Sequence, residues 1–374
     1  MVPRDLYIDR LRTAMTALVI VFHAAITYGA SGGWFYYELK PSGSISSLLM
    51  TMFCGTNQAY FMGFFFLLAG YFTPGSLERK GYARFIGDRF LRLGLPLLAF
   101  GLLLGPLTVA EVHFAQGRSF WGTFAGLWQD KDFINGPMWF TQALLIFSLG
   151  YCAWRAVFGA PIAATERAPR PVPAYRWWLL SAVTVGAVAL AIRQVVPAGK
   201  NVIGLQLGFF SSYVFLFAVG IAAWRNDWLR QLEWKQARPW VWTLALAWPL
   251  MPIGIVVAHT MYGVGNANFG GGYAWPAILY AFWEPFVAWG LIALWLLVFR
   301  ARINRPSALW AWLNRRAYAV YIIHPVVLVG VALLLRGWVA PALVKWGVVG
   351  TLAVIACWLV ADPLVRLPGV RRVV

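Results

Sequence analysis

The sequence has few charged residues, fewer acidic than basic ones, and very little cysteine. Only 12% of its 374 residues are charged and 61% are hydrophobic, whereas a soluble domain carries about 25% charged residues. The charged side chains are too few to cover the two soluble domains that this length would form. The apolar content excludes a disordered chain. Because Cys54, Cys152 and Cys357 all fall within apolar stretches, neither a disulfide scaffold nor a metal site is expected.

Long apolar segments are what the sequence has instead. A helix needs about 20 mostly apolar residues to cross a bilayer, and the strands of a membrane barrel are about half that length. We therefore predict an all-α polytopic membrane bundle of about ten transmembrane helices, formed by a single domain over residues 1–374. The predicted spans are approximately 8–29, 46–72, 84–112, 137–158, 177–196, 206–224, 239–260, 275–299, 315–335 and 341–362.

The positions of the basic residues test this number of spans. If the spans alternate in direction, 24 of the 31 Lys and Arg residues fall in loops on one side and 7 on the other. Cytoplasmic loops collect Lys and Arg, so we expect both termini in the cytoplasm. The Ala- and Pro-rich segment 159–175 is predicted to be a flexible cytoplasmic linker, and the net charge of +18 is thereby explained without a nucleic-acid partner.

The first predicted span carries a polar stripe. Arg12 and His23 are separated by 11 residues, so they lie within about 20° of each other on one helical face. Asp9 falls on the same stripe. A buried imidazole is costly unless it has a partner, so an intramembrane histidine is a functional candidate. The alternative is a packing hydrogen bond to a neighbouring helix.

A second polar feature is the segment RFIGDRFLRLGLP, residues 84–96. Arg89 and Arg92 are spaced i, i+3 and project from one side of the third span. Their mutual repulsion indicates that an anion gathers them, and Asp88 is expected to offset part of the charge. Guanidinium groups fit phosphate bidentately. We therefore expect a phosphate-bearing donor here, with binding of lipid headgroups as the alternative.

These motifs together resemble the acyltransferase-3 family of bacterial inner-membrane O-acyltransferases. The resemblance covers nearly the whole chain and is strongest over the first three spans. It rests on Asp9-x-x-Arg12 followed by His23, FFFLLAGYF at 64–72, Arg89-x-x-Arg92 before Pro96, Trp139-Phe140, Trp283-Glu284, and YAVYIIHP at 318–325.

The resemblance implies transfer of an acyl group, acetyl or succinyl, from cytoplasmic acyl-CoA to a hydroxyl of a cell-envelope glycan or related acceptor. Acyl-CoA is then a co-substrate, and no tightly bound cofactor is expected. The implied location is the bacterial cytoplasmic (inner) membrane, among membrane lipids. By the same resemblance, His23 matches the catalytic histidine, and Arg12, Arg89 and Arg92 match the arginines that handle the donor.

The chemistry of acyl transfer agrees with these residue types. Attack by an alcohol needs a base for the hydroxyl proton, and histidine titrates nearest to neutral pH. We therefore expect His23 to act as a general base, with Asp9 or another acid holding the charge balance, and Asp9 is also a candidate for donor binding. A transiently acylated His23 is the alternative.

The remaining candidates are polar or aromatic residues of later spans. Glu284 and His324 are catalytic candidates, although His324 at i, i+3 spacing from Tyr321 also fits an interhelical polar seam. Trp139 and His113 are candidates for acceptor contact. Trp34, near a predicted helix end, fits an interfacial aromatic belt. A secondary transporter or exporter of a small anion or lipid-linked sugar is the main rival function, but the inverted repeats typical of such proteins are not evident.

Overall fold

The structure is a computed structural model that describes residues 5–159, 169–263 and 265–373. The predicted all-α class is confirmed, because these ranges form helices and contain no extended strand. Helices are what a long apolar run must form in lipid, where every backbone polar group needs a partner within its own segment. Most of the linker predicted at 159–175 lies outside the described residues, which omit 160–168.

The helices are numbered here in chain order. They are α1 (Leu6–Thr27), α2 (Ile45–Lys80), α3 (Tyr82–Ala115), α4 (Phe120–Gln129), α5 (Trp139–Phe158), α6 (Tyr175–Val195), α7 (Phe210–Asn226), α8 (Trp228–Gln231), α9 (Trp234–Ala247), α10 (Leu250–Tyr262), α11 (Trp275–Arg302), α12 (Ala308–Asn314), α13 (Ala317–Leu334), α14 (Ala342–Leu364) and α15 (Pro368–Arg371).

Nine helical stretches within the described ranges are long and apolar enough to cross a membrane. They are α1, α2, α3, α6, Leu207–Asn226, Trp234–Tyr262, α11, α13 and α14, and each coincides with a predicted span. The other predicted span, 137–158, forms the 20-residue helix α5, whose hydropathy is lowered by Gln142 and Arg155. The chain is therefore a multi-pass membrane protein.

Helix α3 is not a regular α-helix throughout. Two π-helical stretches, Phe90–Gly94 and Phe100–Leu104, lie within it, and each ends two residues before a proline, Pro96 or Pro106. A proline has no N–H to donate and its ring displaces the carbonyl four residues earlier. A π-helical turn accommodates such a local change without ending the helix. The sequence predicted one uninterrupted span here.

The helices form two compact units. Unit one contains Met1–Cys54, Leu91–Gln142 and Arg305–Val374, and unit two contains Gly55–Phe90 and Ala143–Asn304. Unit one has a buried core cluster of Phe100, Met138 and Tyr321, against which further aromatic and aliphatic side chains pack.

Unit two brings two helices into backbone contact at a pair of glycines. A Cβ atom on Gly70 of α2 would lie 2.2 Å from the carbonyl oxygen of Phe217, and one on Gly220 of α7 would lie 2.1 Å from that of Leu67. Small residues permit this close approach of membrane helices. Gly70 belongs to the motif FFFLLAGYF, so the glycine of that motif has a packing role.

Candidate active site

His23 lies in the last part of α1, one turn before the helix ends at Thr27. The helix is continuous from Leu6, so the predicted placement of Arg12 and His23 on one stripe is retained. At 1.5 Å per residue, the two Cα atoms are about 16 Å apart along the axis. Arg12 is exposed and His23 is partly buried. The polar stripe therefore joins an accessible cation to a deeper imidazole.

His23 is paired with the second predicted histidine. His324 Nε2 lies 3.3 Å from His23 Nδ1, and the two rings are nearly parallel with their centroids 5.3 Å apart. His324 has no exposed surface, with a relative exposure of 0%, whereas His23 keeps part of its surface accessible. Of the two residues, His23 is therefore the one that keeps exposed surface.

The hydrogen bonds of His324 define where the protons of both rings lie. His324 Nδ1 is 2.6 Å from the carbonyl oxygen of Tyr321, and a carbonyl can only accept. Nδ1 of His324 must therefore carry a proton, and in a neutral ring Nε2 then carries the lone pair. His23 Nδ1–H donates to that lone pair, which leaves Nε2 of His23 as an acceptor. A histidine in this tautomer can take a proton from a substrate.

A proline explains why the Tyr321 carbonyl is available. Pro325 lies within α13 and has no N–H, so the carbonyl four residues earlier, that of Tyr321, loses its helical partner. His324 supplies the missing donor. The Tyr321 hydroxyl in turn donates to the carbonyl of Pro137. Tyr321 is thus held at its backbone carbonyl by His324 and at its hydroxyl by Pro137.

Two predicted donor-site arginines, Arg12 and Arg92, lie near Tyr318, which is one helical turn before Tyr321 on α13. The Tyr318 hydroxyl donates a hydrogen bond to the Arg92 carbonyl, with which the N–H-less Pro96 cannot form the usual helical bond. The charges of Arg12 and Arg92 both act on that hydroxyl. Both arginines are exposed residues. Arg12 and Arg92 therefore both lie near the Tyr318 hydroxyl.

The rings from Tyr318 to Trp34 form a continuous series in unit one, which we call the aromatic row. Successive centroid distances are 6.4 Å from Tyr318 to Tyr321, 5.9 Å from Tyr321 to His324, 5.3 Å from His324 to His23 and 3.8 Å from His23 to Trp34. The aromatic row thus extends from Tyr318, near the two arginines, to the histidine pair and Trp34.

The sequence did not indicate Trp34 as a site residue, because its position near a predicted helix end is typical of the aromatic belt. Its indole is stacked on His23 with an interplanar angle of 16°, and it lies 5.9 Å from the His324 ring. The residue is in the loop between α1 and α2. No periodicity marks a stacking contact made from a loop, so the sequence offered only its position eleven residues after His23 as a signal.

The loop that carries Trp34 is held against the end of α1. The Thr27 carbonyl accepts from the backbone N–H groups of Glu38 and Leu39, at 2.9 and 3.1 Å. The Glu38 carboxylate is paired with Lys345 of α14, and both side chains are largely buried, at 12% and 8% exposure. Burial, and next the Glu38 charge, raise the pKa of Tyr36 above its ordinary value. The Tyr36 hydroxyl is therefore neutral. The ion pair of Glu38 with Lys345 anchors the loop to α14.

The other predicted site residues of unit one are more dispersed. Asp9 is a partly buried residue in the first turn of α1. Trp139 begins α5 and contacts Phe140, with centroids 6.4 Å apart, and Phe140 lies 6.2 Å from Tyr321. His113 lies in the last turn of α3. Trp139 is therefore one ring removed from the aromatic row.

Arg89 and Glu284 belong to unit two. The Arg89 guanidinium lies 4.7 Å from the centre of the Phe85 ring. Asp88, expected to offset the arginine cluster, forms an ion pair with Lys80 at 2.8 Å. The structure places neither Arg89 nor Glu284 in unit one, which holds the histidine pair.

Glu284 forms a buried ion pair with Arg193. The Arg193 side chain has 0% exposure, and its Nε donates to the Gly208 carbonyl at 2.9 Å. Its guanidinium also lies 4.9 Å from the centre of the Tyr280 ring. Arg193 is one of the seven basic residues that alternation of the predicted spans assigned to loops of the less basic side, whereas the structure buries it inside unit two as the partner of Glu284.

Comparisons with known proteins agree with the motifs. The model of a family described as an acyltransferase domain, acyltransferase-3, matches residues 5–362. The chain is 25% identical over 289 residues to "Glucans biosynthesis protein C" of Salmonella paratyphi B and of Salmonella paratyphi C, covering 73% of this chain and 69% of each relative. The protein of that name from Salmonella heidelberg is 26% identical over 159 residues, covering 41% of this chain and 40% of the relative. No solved structure matches the chain.

Proposed function

The chain belongs to the acyltransferase-3 family, and from this premise we propose that it transfers an acyl group from acyl-CoA to a hydroxyl of a cell-envelope glycan. The donor is acetyl-CoA or succinyl-CoA bound from the cytoplasm, and the membrane is the bacterial inner membrane. His23 is the general base. The observation that carries the proposal is the contact of His23 Nδ1 with His324 Nε2 at 3.3 Å, which leaves His23 Nε2 as the proton acceptor.

The reaction needs one proton to move twice. The acceptor hydroxyl attacks the carbonyl carbon of the thioester, and its proton passes to His23 Nε2. The carbon–sulfur bond then breaks, and the imidazolium returns the proton to the leaving thiolate of CoA. Because His324 holds His23 in one tautomer and orientation, the base is preorganised for both transfers.

The donor side of the proposal rests on the arginines of the aromatic row. CoA carries several phosphate charges, which guanidinium groups bind by paired charge-assisted hydrogen bonds. Arg12 and Arg92, whose charges converge on Tyr318, are proposed to bind these phosphates. The long pantetheine arm then extends along α1 over the roughly 16 Å between Arg12 and His23. Asp9 is a further proposed donor contact.

The acceptor side rests on the relatives and on the position of His23. Because the similar Salmonella proteins are named for glucans biosynthesis, a glucan is the acceptor that we propose first. His23 lies near the end of α1 that is far from Arg12, so a hydroxyl entering from the opposite side of the membrane reaches it by the shorter route. Trp139 and His113 remain proposed acceptor contacts.

Purified protein in liposomes tests the proposal. Acetyl- or succinyl-CoA and a soluble glucan are supplied, and free CoA thiol and the mass of the glucan are measured. We expect the two products to appear together in the wild type and to be lost in His23→Ala, with His259→Ala in unit two as the matched histidine control. Retained turnover in His23→Ala would remove the base assignment. Movement of an unmodified substrate across the bilayer would favour the transporter.

The same preparation distinguishes a base from a transiently acylated histidine. With labelled acyl-CoA and no glucan, a general base gives no labelled protein after a rapid quench in denaturant at neutral pH, where an acyl-imidazole survives longer than in acid. A stoichiometric burst of CoA thiol, with label recovered on the peptide that contains His23, would instead identify an acyl-histidine intermediate.

A further inference from the structure

The indole nitrogen of Trp34 is a buried hydrogen-bond donor beside the reacting group. Trp34 Nε1 is buried and has no hydrogen-bond partner among the residues that the structure describes, although its ring is stacked on His23 at 3.8 Å. An indole nitrogen can only donate. A buried donor without a partner is costly. An acceptor atom of a substrate bound next to His23 would remove that cost by accepting a hydrogen bond from this N–H.

Other tryptophans of the chain satisfy the same group with backbone carbonyls. Trp128 Nε1 donates to Leu102 at 2.7 Å, Trp346 Nε1 to Val21 at 3.0 Å and Trp283 Nε1 to Ala247 at 3.0 Å. Trp240 shares with Trp34 a buried indole nitrogen without a described partner. Trp34 differs from it because a histidine ring covers its face.

The loop holds Trp34 in this position independently of any ligand. The backbone N–H of Trp34 donates to the Tyr37 hydroxyl at 2.8 Å, and that hydroxyl donates to the Gly32 carbonyl at 3.1 Å. The Glu38–Lys345 ion pair fixes the same loop to α14. A donor placed in advance, in a largely water-excluded site, is the arrangement that stabilises charge developing in a transition state.

We propose that Trp34 Nε1–H donates a hydrogen bond to the carbonyl oxygen of the acyl thioester and stabilises the oxyanion that forms when the acceptor attacks. In that step the new carbon–oxygen bond forms, the carbonyl π electrons move to the oxygen, and the hydroxyl proton moves to His23 Nε2. Collapse of the intermediate then expels the CoA thiolate. Trp34 is thus a catalytic residue of the reaction, and this inference rests on the proposed acyl transfer.

Two replacements at one position separate the N–H from the aromatic ring. Trp34→Phe keeps an aromatic face for His23 and removes the donor, while Trp34→Leu removes both. A third variant carries 3-benzothienylalanine at position 34, in which sulfur replaces the N–H at nearly constant shape. Loss of one oxyanion donor lowers kcat by about 10²–10³-fold, so we expect this loss in all three variants with the KM for acyl-CoA unchanged.

Trp128→Phe is the matched control, since it removes an indole N–H of unit one that bonds a backbone carbonyl. We expect it to lower the melting temperature and leave kcat unchanged. If the sulfur-containing variant and Trp34→Phe turn over within about threefold of the wild type while Trp34→Leu does not, the ring only supports His23 and the proposal is overturned. Absence of acyl transfer by the wild type would instead reject the proposed function itself.

Discussion

His324 Nε2 accepts a hydrogen bond from His23 Nδ1 at 3.3 Å, and the proton on His324 Nδ1 is directed to the Tyr321 carbonyl at 2.6 Å. The base is therefore oriented by a second group that is itself oriented by the backbone, which is the logic of catalytic triads. The orienting group here is a neutral imidazole instead of a carboxylate. It fixes the tautomer of His23 without placing a negative charge beside it.

Replacing His324 tests this orienting role. In His324→Gln the side-chain oxygen can still accept from His23 Nδ1, whereas His324→Leu has no acceptor. We expect His324→Leu to lose about 100-fold or more in kcat and His324→Gln to lose less, with the KM for acyl-CoA unchanged in both. Steady-state kinetics at matched expression measures the difference. Equal loss in the two variants would show that the volume of His324 matters and its acceptor does not.

The buried pair of Glu38 and Lys345 makes a prediction about stability. Removing one partner leaves an uncompensated buried charge and costs about 3–5 kcal/mol, whereas replacing both with apolar residues is often nearly neutral. We expect Lys345→Met to lower the melting temperature in detergent strongly and the double variant Lys345→Met, Glu38→Leu to recover most of it. A double variant as unstable as the single one would contradict an ion pair that acts as a unit.

Variants of the pair Arg193 and Glu284 test whether the Glu284 carboxylate has a catalytic role or only a structural one. If Glu284 only neutralises Arg193, the double variant Arg193→Met, Glu284→Leu should fold and keep turnover close to the wild type, while Glu284→Leu alone is destabilised. Melting temperature and kcat are measured together on the three proteins. A stable double variant that has lost turnover would return Glu284 to the catalytic machinery.

Local chemistry accounts for the features that the sequence predicted. The all-α class follows from apolar runs long enough to span lipid, and the alignment of Arg12 with His23 follows from the repeat of one continuous helix. Each of these depends on residues within a few turns of one another, so that periodicity and covalent geometry are sufficient.

The features that the sequence did not predict all join distant parts of the chain. Arg193 and Glu284 are 91 residues apart, and His23 and His324 are 301 residues apart, so only the folded bundle makes them partners. Trp34 approaches His23 because the loop folds back over α1 and pairs with α14, a contact that no repeat in the sequence encodes.

The final prediction concerns the phosphates of the donor. Arg12 and Arg92 are exposed and both act on Tyr318, so replacing either should weaken binding of CoA phosphates without altering His23. We expect Arg92→Gln to raise the KM for acetyl-CoA about tenfold, equivalent to about 1.4 kcal/mol, with kcat nearly unchanged. Raising the salt concentration should also raise the KM of the wild type for acetyl-CoA, because interactions between exposed charges are screened by salt.

Acetyl-pantetheine is the substrate that makes this prediction specific, since it keeps the thioester and the thin arm but has no phosphates. Its KM should be the same in the wild type, Arg12→Gln and Arg92→Gln, and Arg118→Gln should leave the KM of both substrates unchanged as a control for loss of one positive charge. If Arg92→Gln raised the KM of acetyl-pantetheine as much as that of acetyl-CoA, the arginine would act on the fold of the site and not on phosphate. An unchanged KM for acetyl-CoA would place the phosphates elsewhere on the protein.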